Sequence, residues 1–251
     1  MAPRPLVSMS WRDLLFVNWP VDPGRLEGRL PEGVSLETVD GDAYVAVVAF
    51  EMADLRLRGA PTGLRFGELN LRTYVTHGGR PAVYFLSVDS DDRLGSLFAG
   101  RLLGFPYFGA DVTIERAETD VEGHADPDTP PVREVRFRCR RRRGRPARFE
   151  CRYRPVEGFA RPEVGSTVEH LLERYRLVVT GRTGTYRADI DHEPWSVARA
   201  EVDIEANTVF DAADLEPPVA DPLVHVGVPM DVTAGRPRRL GGRSSPRVRP
   251  W

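Results

Sequence analysis

FGELNLRTYVTHGGRPAVYFLSVD, residues 66–89, contains two strands of different character around one turn. In its first half polar and apolar residues alternate. An extended chain therefore puts Glu68, Asn70, Arg72 and Tyr74 on one face and Leu69, Leu71 and Val75 on the other. Gly78-Gly79 supplies a hairpin turn, and the returning VYFLSV is apolar on both faces. Taken alone, the first strand would turn its polar row to water and pair charges across the hairpin. A partner that is apolar on both faces belongs inside a covered sheet. A polar row beside it then needs partners within the fold. If the sheet curls, that row lines the interior.

The flanking sequence extends this β-rich reading. DLLFVNW (13–19) is a strand, and one short helix fits between the prolines of residues 20–31. SLETV (35–39) and AYVAVVAFEM (43–52) flank Asp40-Gly41-Asp42 and predict a hairpin. SDDRLGSLFAGRLLG (90–104) predicts a helix, with Ser90 as N-cap, two aspartates in the first turn and Gly104 as stop. Strand returns from Phe108 to Ala117, and residues 119–131 form a polar loop. Residues 132–156 predict a third hairpin, turning near Gly144, and GSTVEHLLERYRL (165–177) predicts a second helix beginning at Ser166. Strand-like runs at 185–191, 196–204 and 222–232 follow. The expected organisation is one domain over residues 1–234 and a disordered Arg/Pro/Gly-rich tail over 235–251.

The totals narrow the function. A net charge of −2 gives no global attraction to nucleic acid or membrane. No apolar run approaches the roughly 20 residues that span a bilayer. The N-terminus lacks the apolar core of a signal peptide, and two cysteines make no disulfide framework, so the expected location is cytoplasmic. All 35 basic residues are arginine, which removes Schiff-base and general-base lysine chemistry.

In the third hairpin Arg138, Arg140 and Arg148 alternate with Phe137, Cys139, Phe149 and Cys151. The aromatics then face inward and the arginines face water, which is no stacking platform for a nucleic acid. The two cysteines read as buried free thiols. Five histidines show no HxH or HExxH spacing and CxxC is absent, so no metal or cofactor is assigned.

Several stretches in order, NWPVDPGRLEGRLPEGVSLETVDGDAYVAVVAFEM, ELNLRTYV, VYFLSVD, GFPYFGADV, HLLERYRL, HEPW and VGVPMDV, resemble the YqjF-like proteins, a family of unknown function. That family is similar in fold to acetoacetate decarboxylase, and the resemblance covers roughly residues 11 to 233. It implies an α+β, β-rich fold: a curved antiparallel sheet closing into a cone-shaped barrel, with a few short helices and a small-molecule cavity. By flanking pattern the decarboxylase's arginine falls on Arg12 and its two glutamates on Glu51 and Glu68. Its Pro-containing turn falls on Phe105-Pro106 and its adjacent lysines on Tyr107 and Phe108. Neither ring supplies an amine, so imine chemistry is excluded.

Three readings stay open: a non-covalent binding or enzymatic site, a regulatory ligand-binding protein, and a structural protein with a filled pocket. In the first, Arg12 holds an anionic or carbonyl group and Glu68 or Glu51 acts as acid or base. Tyr107 donates a hydrogen bond, and Asn70, Arg72 and Phe108 line the site. The expected partner is a small-molecule ligand, not a specific nucleic acid or a membrane, and a homo-oligomer stays open. Arg12, Glu51, Glu68 and Tyr107 are expected to converge on one interior cavity.

Overall fold

In the computed structural model, which describes residues 5–92, 105–118 and 133–241, four strands build a wall. β1 (Val7–Val21) lies antiparallel to β3 (Ala43–Leu57), β3 to β5 (Phe66–His77), and β5 to β6 (Arg80–Ser90). Both edges of the wall fork. Residues 7–11 of β1 pair with β14 (Met230–Ala234), and residues 14–18 pair with β13 (Leu223–Gly227). On β6, Val83 and Tyr84 run parallel to β10 (Arg176–Gly181), whereas Val88 to Ser90 run parallel to β7 (Tyr107–Glu118).

Each fork closes a ring. β10 pairs with β11 (Gly184–His192), which pairs with β14 and completes a smaller ring. From β7 the sheet passes through β8 (Arg133–Arg141), β9 (Arg148–Pro155) and β12 (Val197–Asn207) to β13, completing a larger ring. The fold is therefore the expected curved, closed sheet, but mixed, because both strands that branch from β6 are parallel to it.

A wall shared by two rings buries both of its faces, and its sequence shows this. Leu15, Val17, Val47, Ala49, Leu69 and Leu71 face the larger ring and pack with Phe137, Phe149 and Val226. There α3 (Val209–Ala212) caps the core, with Phe210 edge-on to Trp19 at 5.3 Å between ring centres. Leu14, Phe16, Ala46, Val48, Phe50 and Tyr74 face the smaller ring with Trp195, Met230 and Val232. Leu171 and Leu172 of α2 (Thr167–Leu172) fill that side, and Ser166 caps α2 by accepting from the Glu169 amide.

Several expectations are corrected. The segment after α1 (Gly24–Glu27) makes no hairpin across Asp40-Gly41-Asp42. β2 (Val34–Leu36) pairs with β5 instead, and only a Val39–Asp42 bridge marks the turn. The second helix stops at Leu172, because Arg174 and Arg176 turn into ion pairs with Glu37 and Asp189. Residues 222–232 are two strands, separated at Val228-Pro229, where proline has no amide to donate. Residues 236–241 of the expected tail join the fold: β15 (Arg238–Arg239) pairs with β11, and the Leu240 amide donates to the Thr185 carbonyl. The predicted helix over 90–104, the loop over 119–131 and the tail from 242 lie wholly or largely outside the described residues. Among those residues no helix is long and apolar enough to cross a membrane.

The third hairpin forms, and acids meet its arginines across the ladder. Arg138 pairs with Glu115, Arg136 and Arg152 with Glu205, and Arg154 with Glu201. Cys139 faces Phe149 and Cys151 faces Phe137, so the cysteines are diagonal neighbours rather than a directly opposed pair. Both are free and buried; burial pushes both thiols up, Cys151 to about 12. A disulfide reagent at pH 8 should therefore leave both unmodified in the native protein and label both once denaturant is added. Fast labelling without denaturant would contradict this burial.

Candidate functional site

The polar row of β5 turns inward. Glu68, Asn70 and Arg72 are 4%, 3% and 8% exposed, so these groups must be satisfied inside the fold. Their neighbours on β3 are Phe50, Val48 and Ala46, which assigns the row to the smaller ring. On the other side Asn70 faces Val88 of β6, and Val88 lies beside Tyr107 of β7. Tyr107 thus reaches over one strand, and its hydroxyl donates to Glu68 at 2.9 Å. A Cβ on Gly67 would fall 2.3 Å from Val112 Cγ1, so this glycine lets β7 pass close to the wall beside Glu68.

Burial pushes the Glu68 carboxyl up to about 7, against the opposing influence of Tyr107 and Asn70, which favour the carboxylate. Near neutral pH it is then a half-protonated acid in a site shielded from water. Burial and the adjacent carboxylate hold the Tyr107 phenol well above its ordinary range, which keeps it a hydrogen-bond donor.

Further along the same face the Arg72 guanidinium lies 5.7 Å from the centre of Phe16 and 5.6 Å from that of Tyr74. Tyr74 donates to Asn18. Arg174 approaches the Tyr74 ring at 5.4 Å and pairs with Glu37 at 2.6 Å, and His170 lies 3.2 Å from Glu37. Asn18, Glu37 and Arg174 carried no local signal, because their partners are between 56 and 137 positions away.

The expected convergence is only partial. Arg12 pairs with Asp54 at 2.6 Å, with side chains 40% and 59% exposed. The cause is a bulge at Asp13, whose φ is +51°; one extra residue makes Trp11 and Leu14 face the smaller ring and turns Arg12 away. Glu51 stands opposite Arg12 in register, on the face away from Glu68. Although burial works against it, Arg65 at 2.5 Å and Arg116 at 2.9 Å hold the Glu51 carboxyl below the usual range. It is an ion-paired carboxylate, unsuited to acid–base work near neutral pH.

Phe108 points opposite to Tyr107, as alternation requires, and its ring covers the Arg141 guanidinium at 3.7 Å. Glu68 and Tyr107 therefore meet, whereas Arg12, Glu51 and Phe108 lie elsewhere. A cavity lined by Val21, Leu26, Val45, Phe210 and Leu215 holds about 10 Å³, room for a water at most, and is remote from Glu68.

With this geometry in view, the comparisons are specific at family level. The model of the family DUF2071, described as an uncharacterized conserved protein, matches residues 8–231. The chain belongs to this family. Uncharacterized protein YqjF of Bacillus subtilis (strain 168) is 38% identical to this DUF2071 chain over 230 residues, covering 90% of this chain and 89% of that one. Among solved structures, the enduracididine biosynthesis enzyme MppR complexed with pyruvate superposes with a TM-score of 0.62 at 15% identity, covering 96% of this chain and 92% of that chain. An acetoacetate decarboxylase-like enzyme from Sphingomonas wittichii RW1 gives 0.57 at 20% identity, covering 95% and 94%. At such identities the solved structures establish the fold alone, and the fold is that of acetoacetate decarboxylase.

Proposed function

We propose that this DUF2071 protein binds a small carbonyl or carboxylate compound non-covalently inside the smaller ring and exchanges a proton with it through Glu68. The observation that carries the reading is the buried Glu68–Tyr107 pair at 2.9 Å, with the carboxyl raised to about 7. A proton donor and acceptor works best when its pKa lies near the working pH. Tyr107 donates its single O–H to Glu68, which orients the carboxyl for exchange with a bound compound. The solved complex of MppR with pyruvate has the same fold with a compound of this class. Covalent imine chemistry is ruled out for side chains, since all 35 basic residues are arginine.

Mass spectrometry of gently denatured protein, with and without prior borohydride treatment, tests this. The wild type should release a low-mass organic compound that Glu68→Gln does not retain, and borohydride should add no adduct mass to any side chain. Equal retention by Glu68→Gln, or a reduced side-chain adduct, would sink the proposal.

A further inference from the structure

Among the described residues nine buried side-chain polar atoms have no hydrogen-bond partner; five of them, on residues of the smaller ring, are Trp11 Nε1, Asn70 Oδ1, Arg72 Nε, and Arg174 Nε and Nη2, and the rest are on His77, Ser87, Arg136 and His170. All but one of these five are donors, so what is missing beside them is an acceptor. Charge shows the same imbalance. Arg72 is 8% exposed and no carboxylate of the described residues pairs with it. Arg174 pairs with Glu37, which leaves Arg72 without an ion-pair partner, and the acid of its own row, Glu68, is held half-protonated by burial. Burial and Arg174 hold His170 below its ordinary value, so at neutral pH it adds no charge. Phe16 and Tyr74, at 5.7 and 5.6 Å, sit near the outer limit for a cation over a ring and offset only part of the lost hydration.

We infer that Arg72 anchors an organic monoanion: its guanidinium takes a carboxylate, and Asn70 Oδ1 accepts a hydrogen bond from a hydroxyl or N–H of the same ligand. One unpaired guanidinium matches one carboxylate, and a phosphate dianion would exceed it, the more so with Glu68 partly ionised. The planar guanidinium edge also fits a carboxylate in two parallel hydrogen bonds. The inference rests on the smaller ring being the ligand site. It adds the ligand's class and moves its anchor from β1 to β5.

Equilibrium dialysis of the full chain with labelled lactate, supported by thermal unfolding, tests it. Lactate and 3-hydroxybutyrate should raise the unfolding midpoint saturably, with about one lactate bound per chain. Propionate, which lacks the hydroxyl, should bind more weakly. Chloride and sulfate at equal ionic strength should do neither. Arg72→Met removes an unpaired buried charge, so it should fold, with a ligand-free midpoint at or above that of the wild type, and bind lactate roughly 10- to 100-fold more weakly.

The wild-type dialysis decides the matter even if that variant does not fold. Absence of lactate binding, an equal effect of chloride or sulfate, or wild-type affinity in a folded Arg72→Met would overturn the inference. Wild-type lactate affinity in Glu68→Gln would instead remove Glu68 from the site and leave the Arg72 anchor standing.

Discussion

Replacing Arg141 with alanine is expected to destabilise the protein by about 3–5 kcal/mol. Arg141 Nε and Nη2 reach the two oxygens of Asp89 at 2.6 and 2.8 Å, and the paired side chains are 2% and 1% exposed. The Phe108 ring seals the guanidinium from the other side at 3.7 Å. Burial already pushes the Asp89 carboxyl up, and Arg141 pulls it back. Without the arginine, Asp89 must protonate in place or open the structure to water.

The location raises the cost. β7 is joined to β6 by a short parallel pairing at Val88 to Ser90, so this ion pair also ties β7 and β8 to the wall. Urea unfolding followed by circular dichroism reads the loss directly. A change under about 1 kcal/mol, the range typical of exposed pairs such as Arg12–Asp54, would show that the pair does not secure the junction. The double variant Asp89→Leu/Arg141→Met should recover most of the loss, because it removes both charges together.

Raising the pH from about 4.5 to about 7 is expected to withdraw on the order of 3 kcal/mol of stability through Glu68 alone. The ordinary carboxyl titrates at 4.5 and the folded one at about 7, so the fold favours the protonated acid. The stabilisation is fully present below the lower value and is lost as pH rises through the upper one. Glu68→Gln resembles the neutral acid and keeps an oxygen to accept from Tyr107, so its own contribution should be flat across this window. Other carboxyls raised by burial, Asp89 and Asp91 among them, titrate in both proteins and cancel in the difference. Unfolding free energies measured in pairs from pH 4.5 to 7.5 should therefore diverge steadily in favour of the variant. Parallel profiles would show that Glu68 titrates normally.

Alternation made the row Glu68, Asn70, Arg72, Tyr74 legible, since a period of two depends on nothing outside the strand. VYFLSV, apolar on both faces, indicated that the row lies against a covered wall, and the wall does separate two cores. What could not be read was which residues leave the alternation. A single inserted residue at Asp13 exchanges the two faces of β1, and no local composition marks it as a bulge. Matching Arg12 to the decarboxylase arginine by flanking pattern said nothing of the face its side chain takes, and the bulge turns it away from the smaller ring. Glu51 failed for a simpler reason: it and Glu68 sit on adjacent strands but point to opposite faces. Arg174 lay in a stretch expected to be helix, where nothing indicated Glu37 as its partner.

The central stretches of β1, β3, β5 and β6 have a core on either side, so the two compartments share one mechanical component. Leu69 and Leu71 press into the larger ring from the same backbone that presents Glu68, Asn70 and Arg72 to the smaller one. Any change in volume around Phe137 or Phe149 that bows β5 must shift those three groups together, because densely packed interiors transmit strain rather than absorb it. The larger ring thus acts as a calliper on the smaller one, and sequence drift in its hydrophobic filling can retune the spacing of polar groups it never touches.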